Sequence, residues 1–180
     1  MKKYLLPLLL IGCQAQVKSY TAVKEPLEPK PDITTVDFKY NHFTRQDYEL
    51  SLPPTFEVGQ TPDTKYGDVY VDKTNSITLI VGVSKNYNSD LETYLKQDLQ
   101  FIKQMKLLPV LIENSLLSFM PAKKLELLSS ERDPKDRIVI WRWLTVYNKK
   151  AFSVSCGAPL KDFSLAEKSC SELAKGFVAK

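Results

Sequence analysis

Residues 137–147, RIVIWRWLTVY, carry the decision about the fold. Side chains alternate across a strand, so Ile138, Ile140, Leu144 and Val146, with Arg142 among them, point one way. Val139, Trp141, Trp143 and Tyr147 point the other way. Both faces are apolar. A strand of this kind is either central and covered on both sides, or it presents one aromatic face as a binding surface. In the second case Trp141, Trp143 and Tyr147 form the contact, since such residues are enriched at interface hot spots. On the opposite face, Arg142 either snorkels past its neighbours or pairs with an acid.

Working downstream, YNKK (147–150) reads as a turn and AFSVSC (151–156) as a further strand, with Phe152, Val154 and Cys156 on one face. The chain then closes with a helix. Ser164 and Glu167 have capping-box spacing, and Ala166, Cys170, Leu173, Ala174 and Phe177 share one side. Cys156 and Cys170 thus sit on facing surfaces of adjacent elements. They form either a strand-to-helix disulfide, closing a loop of about 15 residues worth roughly 3 kcal/mol, or two buried thiols; we favour the disulfide.

Upstream, ERDPKD (131–136) is a turn, and β signals run through 110–120 and 124–130. NSDLETYLKQDLQFIKQM (88–105) is a helix with Ser89 and Glu92 at capping-box spacing and an apolar face of Leu91, Leu95, Leu99, Ile102 and Met105. Before it lie three strands: YELSLPPTF (48–56), closed by Pro53-Pro54, then GDVYVD (67–72) and SITLIVGVS (76–84). Short polar turns join these elements, so an antiparallel meander is expected.

The order of these elements resembles the PsbP/Mog1-like fold, an α+β, αβα sandwich around a mainly antiparallel sheet found in DcrB-type bacterial lipoproteins. The resemblance covers Phe38 to Val178. It is carried by the strand-then-proline opener YELSLPPTF, in which Phe56 takes the place of the family's usual tryptophan, and by the closing helix SLAEKSCSELAKGF, which ends in Gly176-Phe177 rather than Ser-Phe. The resemblance implies a binding or scaffolding domain and transfers no catalytic residues.

The N-terminus sets an address. Lys2 and Lys3 precede an apolar run of about seven residues, Leu5 to Ile11, interrupted by Pro7. A membrane-spanning helix needs about 20 residues, so this is the length of a signal-peptide core. Its end, Leu10-Ile11-Gly12-Cys13, resembles the bacterial lipobox, in which the cysteine is lipidated and the chain is cut before it. Residues 1–12 are therefore read as a lipoprotein signal peptide. Residues 13–37 are the lipidated Cys13 and a tether stiffened by Pro26, Pro29 and Pro31, and 38–180 are the domain. The expected setting is the bacterial envelope, lipid-anchored and facing the periplasm. Gln14 after the cysteine favours the outer membrane. Processing removes two lysines and no acid, so the formal charge falls from +4 to +2. Nothing in that balance points to nucleic acid.

Catalytic chemistry has little to work with. His42 is the single histidine, so any Ser-His-Asp or Cys-His arrangement must use it. Six glycines form no phosphate cradle, Asp133-Pro134-Lys135-Asp136 lacks the spacing of a calcium loop, and no metal shell or cofactor site is evident. Glu49, Glu57, Asp68 and Asp72 are the acids a fold would have to bring together for glycosidase-type chemistry. The expectation is a non-enzymatic lipoprotein that binds another envelope protein as an accessory or assembly factor. Two alternatives stand beside it: an immunity lipoprotein neutralising a periplasm-delivered toxin, and a small-ligand binder or enzyme with a concave pocket.

Overall fold

The computed structural model describes residues 40–60 and 67–180. Residues 1–39, which include Cys13 and the segments read from sequence as signal peptide and tether, lie outside the described residues. In chain order the elements are β1 (Asn41–Thr44), β2 (Tyr48–Leu52), β3 (Phe56–Val58), β4 (Asp68–Asp72), β5 (Ile77–Ser84), α1 (Leu91–Gln104), β6 (Leu107–Leu117), β7 (Met120–Ser129), β8 (Ile138–Tyr147), β9 (Lys150–Pro159), α2 (Phe163–Lys175) and β10 (Phe177–Ala179).

Seven strands form an antiparallel sheet in the order β3-β4-β5-β9-β8-β7-β6. β8 is an inner strand, paired with β9 along its length and with β7 on the other side. Its Arg142 face lies under α1, while its tryptophan face meets α2, where Phe163 packs against Trp141 with ring centroids 5.3 Å apart. The architecture is an α+β, αβα sandwich, and the doubly apolar strand is one of its inner strands, next to the central β9.

This arrangement corrects the aromatic contact strip. Trp141 and Trp143 are 0% and 3% exposed and belong to the main core; Tyr147, at the strand end, is exposed alone. Burying an indole removes more apolar area than any other side chain offers, and an inner strand places both where α2 and the second sheet can cover them.

That second sheet, β1-β2-β10, was not evident from the sequence pattern. The closing helix ends at Lys175, and Phe177 lies beyond it on β10, opposite Leu50 of β2. Gly176 makes the junction: a Cβ there would lie 2.5 Å from the Ser51 carbonyl oxygen, so only glycine lets the two backbones approach. Phe177 stacks on Tyr48 and meets Phe152 edge-on, tying the small sheet to the large one. A polar clasp completes the join. The Tyr48 hydroxyl donates to Asp68 (2.6 Å) and shares a hydrogen bond with Tyr70 (2.9 Å), while Arg45 lies 3.4 Å from the same carboxylate. Burial, and then the hydrogen bond to Asp68, push the Tyr48 hydroxyl far above the usual phenol range, so it stays a donor at any physiological pH.

Both helix starts differ from the sequence expectation. Asp90, not Ser89, caps α1, its carboxylate accepting from the Thr93 N–H at 2.7 Å. α2 has no side-chain cap, because a 3-10 turn at Leu160–Asp162 runs straight into it. The disulfide is present: Cys156 on β9 and Cys170 on α2 are bonded, with Cα atoms 5.7 Å apart. Among the described residues no helix is long and apolar enough to cross a membrane.

Candidate functional site

The two faces of the large sheet are covered unequally. On the α2 side, β9 presents Phe152, Val154, Cys156 and Ala158, all buried. On the α1 side the same strand presents Ser153, Ser155 and Gly157. Beside it, β5 offers Thr78, Ile80 and Gly82. Ile80 apart, these small residues give a helix little apolar area to pack on. α1 therefore sits off-centre, its Ile102 buried with Leu125, Leu127 and Leu144 of β7 and β8.

The uncovered half is a trough. Its larger chamber, about 630 Å³, lies between α1 and the floor of β5 and β9, and reaches Val69 on β4 and Gly67 just before it. A second chamber of about 390 Å³ continues it toward Ile138 and Pro159. The two share Ile80, Ile140 and Ser155. Phe101 and Met105 of α1 line the rim, 37% and 51% exposed. Met105, expected on the packed face of the helix, is at its C-cap and turns to solvent. Gly67, immediately before β4, has φ +111°, and a Cβ there would collide with the Val81 carbonyl, so this side of the trough also depends on glycine.

One polar network crosses the floor. Arg142 donates to both oxygens of Asp98 on α1 (2.9 and 2.6 Å) and through Nη1 to Ser155 Oγ (2.5 Å). The fork-to-fork geometry satisfies both partners, and the Asp98 side chain is only 5% exposed. Next to it the Tyr94 hydroxyl is raised above the usual phenol range by burial, partly opposed by the Arg142 charge and a hydrogen bond with Ser153. The trough thus combines apolar walls with a few fixed hydroxyls and a neutralised ion pair. This composition suits binding a largely apolar ligand with one or two hydrogen-bonding groups.

The residues singled out from sequence lie elsewhere. His42 is exposed on β1, its Nδ1 2.9 Å from Ser51 Oγ. Glu49 pairs with Lys180 and Glu57 with Lys73, each at 2.9 Å. Asp68 belongs to the tyrosine clasp. Asp72 is buried in the β4–β5 turn, where burial would raise its pKa, yet donors from Asn75, Thr55 and Thr74 hold it below the usual carboxylate range. No group of three or more His, Cys, Asp or Glu placed to hold a metal occurs among the described residues. Asp98 escaped notice because a lone acid on a helix reads as solvated surface; the signal was its partner, an arginine inside an apolar strand.

No protein-family model and no curated protein sequence matches the chain. Solved structures do. The cyanobacterial PsbP of Synechocystis superposes with a TM-score of 0.63 over 87% of this chain and 100% of its own, at 12% identity. The fold is PsbP-like. LpqN of Mycobacterium tuberculosis, described as involved in cell envelope biogenesis, superposes with a TM-score of 0.57 over 79% of this chain and 91% of its own, at 10% identity. A Bacteroides thetaiotaomicron protein matches with a TM-score of 0.53 and 10% identity over 74% of this chain, which spans 45% of that protein. At these identities the PsbP-like likeness is one of fold alone.

Proposed function

We propose that this protein is a lipid-anchored envelope lipoprotein, facing the periplasm, whose PsbP-like domain is a non-enzymatic accessory or assembly factor. Its binding site is the α1-side trough. The observation that carries the reading is the trough itself: an open, apolar-walled channel on a sheet whose other face carries the main hydrophobic core. Its one buried acid, Asp98, is already neutralised by Arg142, which favours binding over acid–base chemistry. The ligand is an apolar segment of another envelope protein, with acceptors for the hydroxyls and guanidinium on the floor. The lipid on Cys13 confines the domain to one membrane surface and raises its effective concentration for neighbours there. The envelope role described for LpqN supports the same setting.

The test is a photo-crosslinking amino acid placed at Thr78 or Phe101 in the full chain, with Leu165 on α2 as the control position. The expected result is an adduct with a resident envelope protein from the trough positions only, weakened by Cys13→Ser. Adducts from Leu165 alone would sink the trough as the site. An adduct with a secreted toxin would replace the accessory role with an immunity role.

A further inference from the structure

A second surface, independent of the trough, is the outer edge of the large sheet. β6 is the last strand of that sheet and has no outer neighbour among the described residues. Six of the fourteen exposed large apolar side chains among the described residues lie on it or its turn: Leu108, Val110, Leu111, Ile112, Leu116 and Phe119. An edge that is both open to hydrogen bonding and apolar is usually blunted, because it templates pairing with another strand. Here only the first part is blunted. Pro109 lacks an N–H, and the register shift between Pro109 and Leu111 makes Val110 a bulge. The tight turn at Ser118-Phe119 ends the other side. The unobstructed edge is therefore 111–117, and its middle residue is Asn114.

We propose that β6 pairs antiparallel with β6 of a second copy of this chain, about a two-fold axis through Asn114. Opposed residues on antiparallel strands point to the same face, so a two-fold axis perpendicular to the sheet must pass through a residue. An axis through Glu113 opposes two carboxylates. One through Ile112 sets Leu111 against Glu113, and one through Ser115 sets Asn114 against Leu116. The axis through Asn114 places Ile112 opposite the second copy's Leu116 twice, places Glu113 opposite Ser115, and opposes no like charges. It also carries the second copy's Phe119 turn onto Pro109 and Val110. The exposed apolar residues of the edge are thus covered by the same operation that satisfies its backbone. A membrane surface would accept the side chains but leave the backbone groups unpaired.

The test uses the full chain in its own membrane. At the axis, the two Asn114 Cα atoms lie about 4.5–5.5 Å apart, within the span a disulfide bridges. Asn114→Cys is expected to give, under mild oxidation, a band at twice the monomer mass that reduction removes, absent from the unsubstituted chain. Adding Ile112→Lys should abolish the band. Because that variant could also misfold, the Glu113→Cys and Ser115→Cys chains are co-expressed: they oppose each other across the axis, and should crosslink together but neither alone. The unsubstituted chain in detergent should have twice the monomer mass by light scattering. A monomeric mass, no Asn114→Cys dimer, or an adduct of another mass, as a foreign strand would give, overturns the proposal.

Discussion

The two faces of the large sheet are made by the same strands, yet they are built to different ends. On the α2 face the inner strands carry the main core: Trp141, Trp143, Phe152, Tyr70 and Leu79 are buried in one cluster with Tyr48 and Phe177 of the small sheet, and a disulfide fastens the helix. On the α1 face the central strand β9 carries two serines and a glycine, the helix stands aside, and an ion pair replaces part of the packing. One face holds the molecule together. The other leaves room beside the helix that does not collapse, because β5 and β9 are held from behind.

If that division is right, the largest loss of stability comes from the packed face. Trp141→Ala is expected to cost about 3–5 kcal/mol, since it combines lost apolar transfer with a cavity in a close-packed core; chemical denaturation measures it. Cys156→Ser follows at roughly 3 kcal/mol for the loop of 14 residues' separation. It should appear as a lowered midpoint for the substituted chain relative to the oxidised one.

The ion pair sharpens the comparison, because it serves the open face yet is partly buried. Asp98→Ala strands the Arg142 guanidinium and should cost about 2–3 kcal/mol, below the usual figure for a fully buried pair because Arg142 keeps 16% exposure. Replacing both, Asp98→Leu with Arg142→Met, should restore most of that loss. If the double variant is as unstable as the single, the pair does more than fill space.

Acid titration gives a smaller effect. The folded pKa of Asp72 is depressed from 3.8, so its hydrogen bonds contribute full stability above that value and lose it as the pH falls through the folded pKa. Asp72→Asn should therefore cost about 1–2 kcal/mol at neutral pH and flatten the fall in stability below about pH 4. Part of the slope should remain, from Asp47, held low by its hydrogen bond to Lys150, and Asp90, held low by the Thr93 bonds.

Smallest of all is Thr78→Trp, which fills the trough from a half-buried strand position. It should move stability by no more than about 0.5 kcal/mol while removing crosslinking from Phe101. A large destabilisation would mean that the trough is packed more tightly than its walls suggest.

Much of the packed face was legible in the sequence. Period-two alternation in β8 and β9 placed the tryptophans opposite Arg142 and put Cys156 toward the helix that bears Cys170. Those are local facts of a pleated strand. The open face was legible only in hindsight. Ser153, Ser155 and Gly157 alternate with Phe152, Val154 and Cys156, a pattern of small against large that marks one covered side and one bare one. A strand read alone does not say what lies over its small residues.

What the sequence by itself determined is whatever depends on neighbours a few residues apart: strand alternation, helix periodicity, the strand-then-proline opener, and the two cysteines on facing elements. The tertiary structure alone decided the rest. It set the order β5-β9-β8, the swing of β10 back to β2, and the union of Asp98 with an arginine 44 residues away. It also resolved whether an aromatic strand is surface or core. The physical reason is that burial is collective. Trp141 and Trp143 are interior because β7, β9, α2 and the small sheet close around them, and no window of sequence around Trp141 contains those partners.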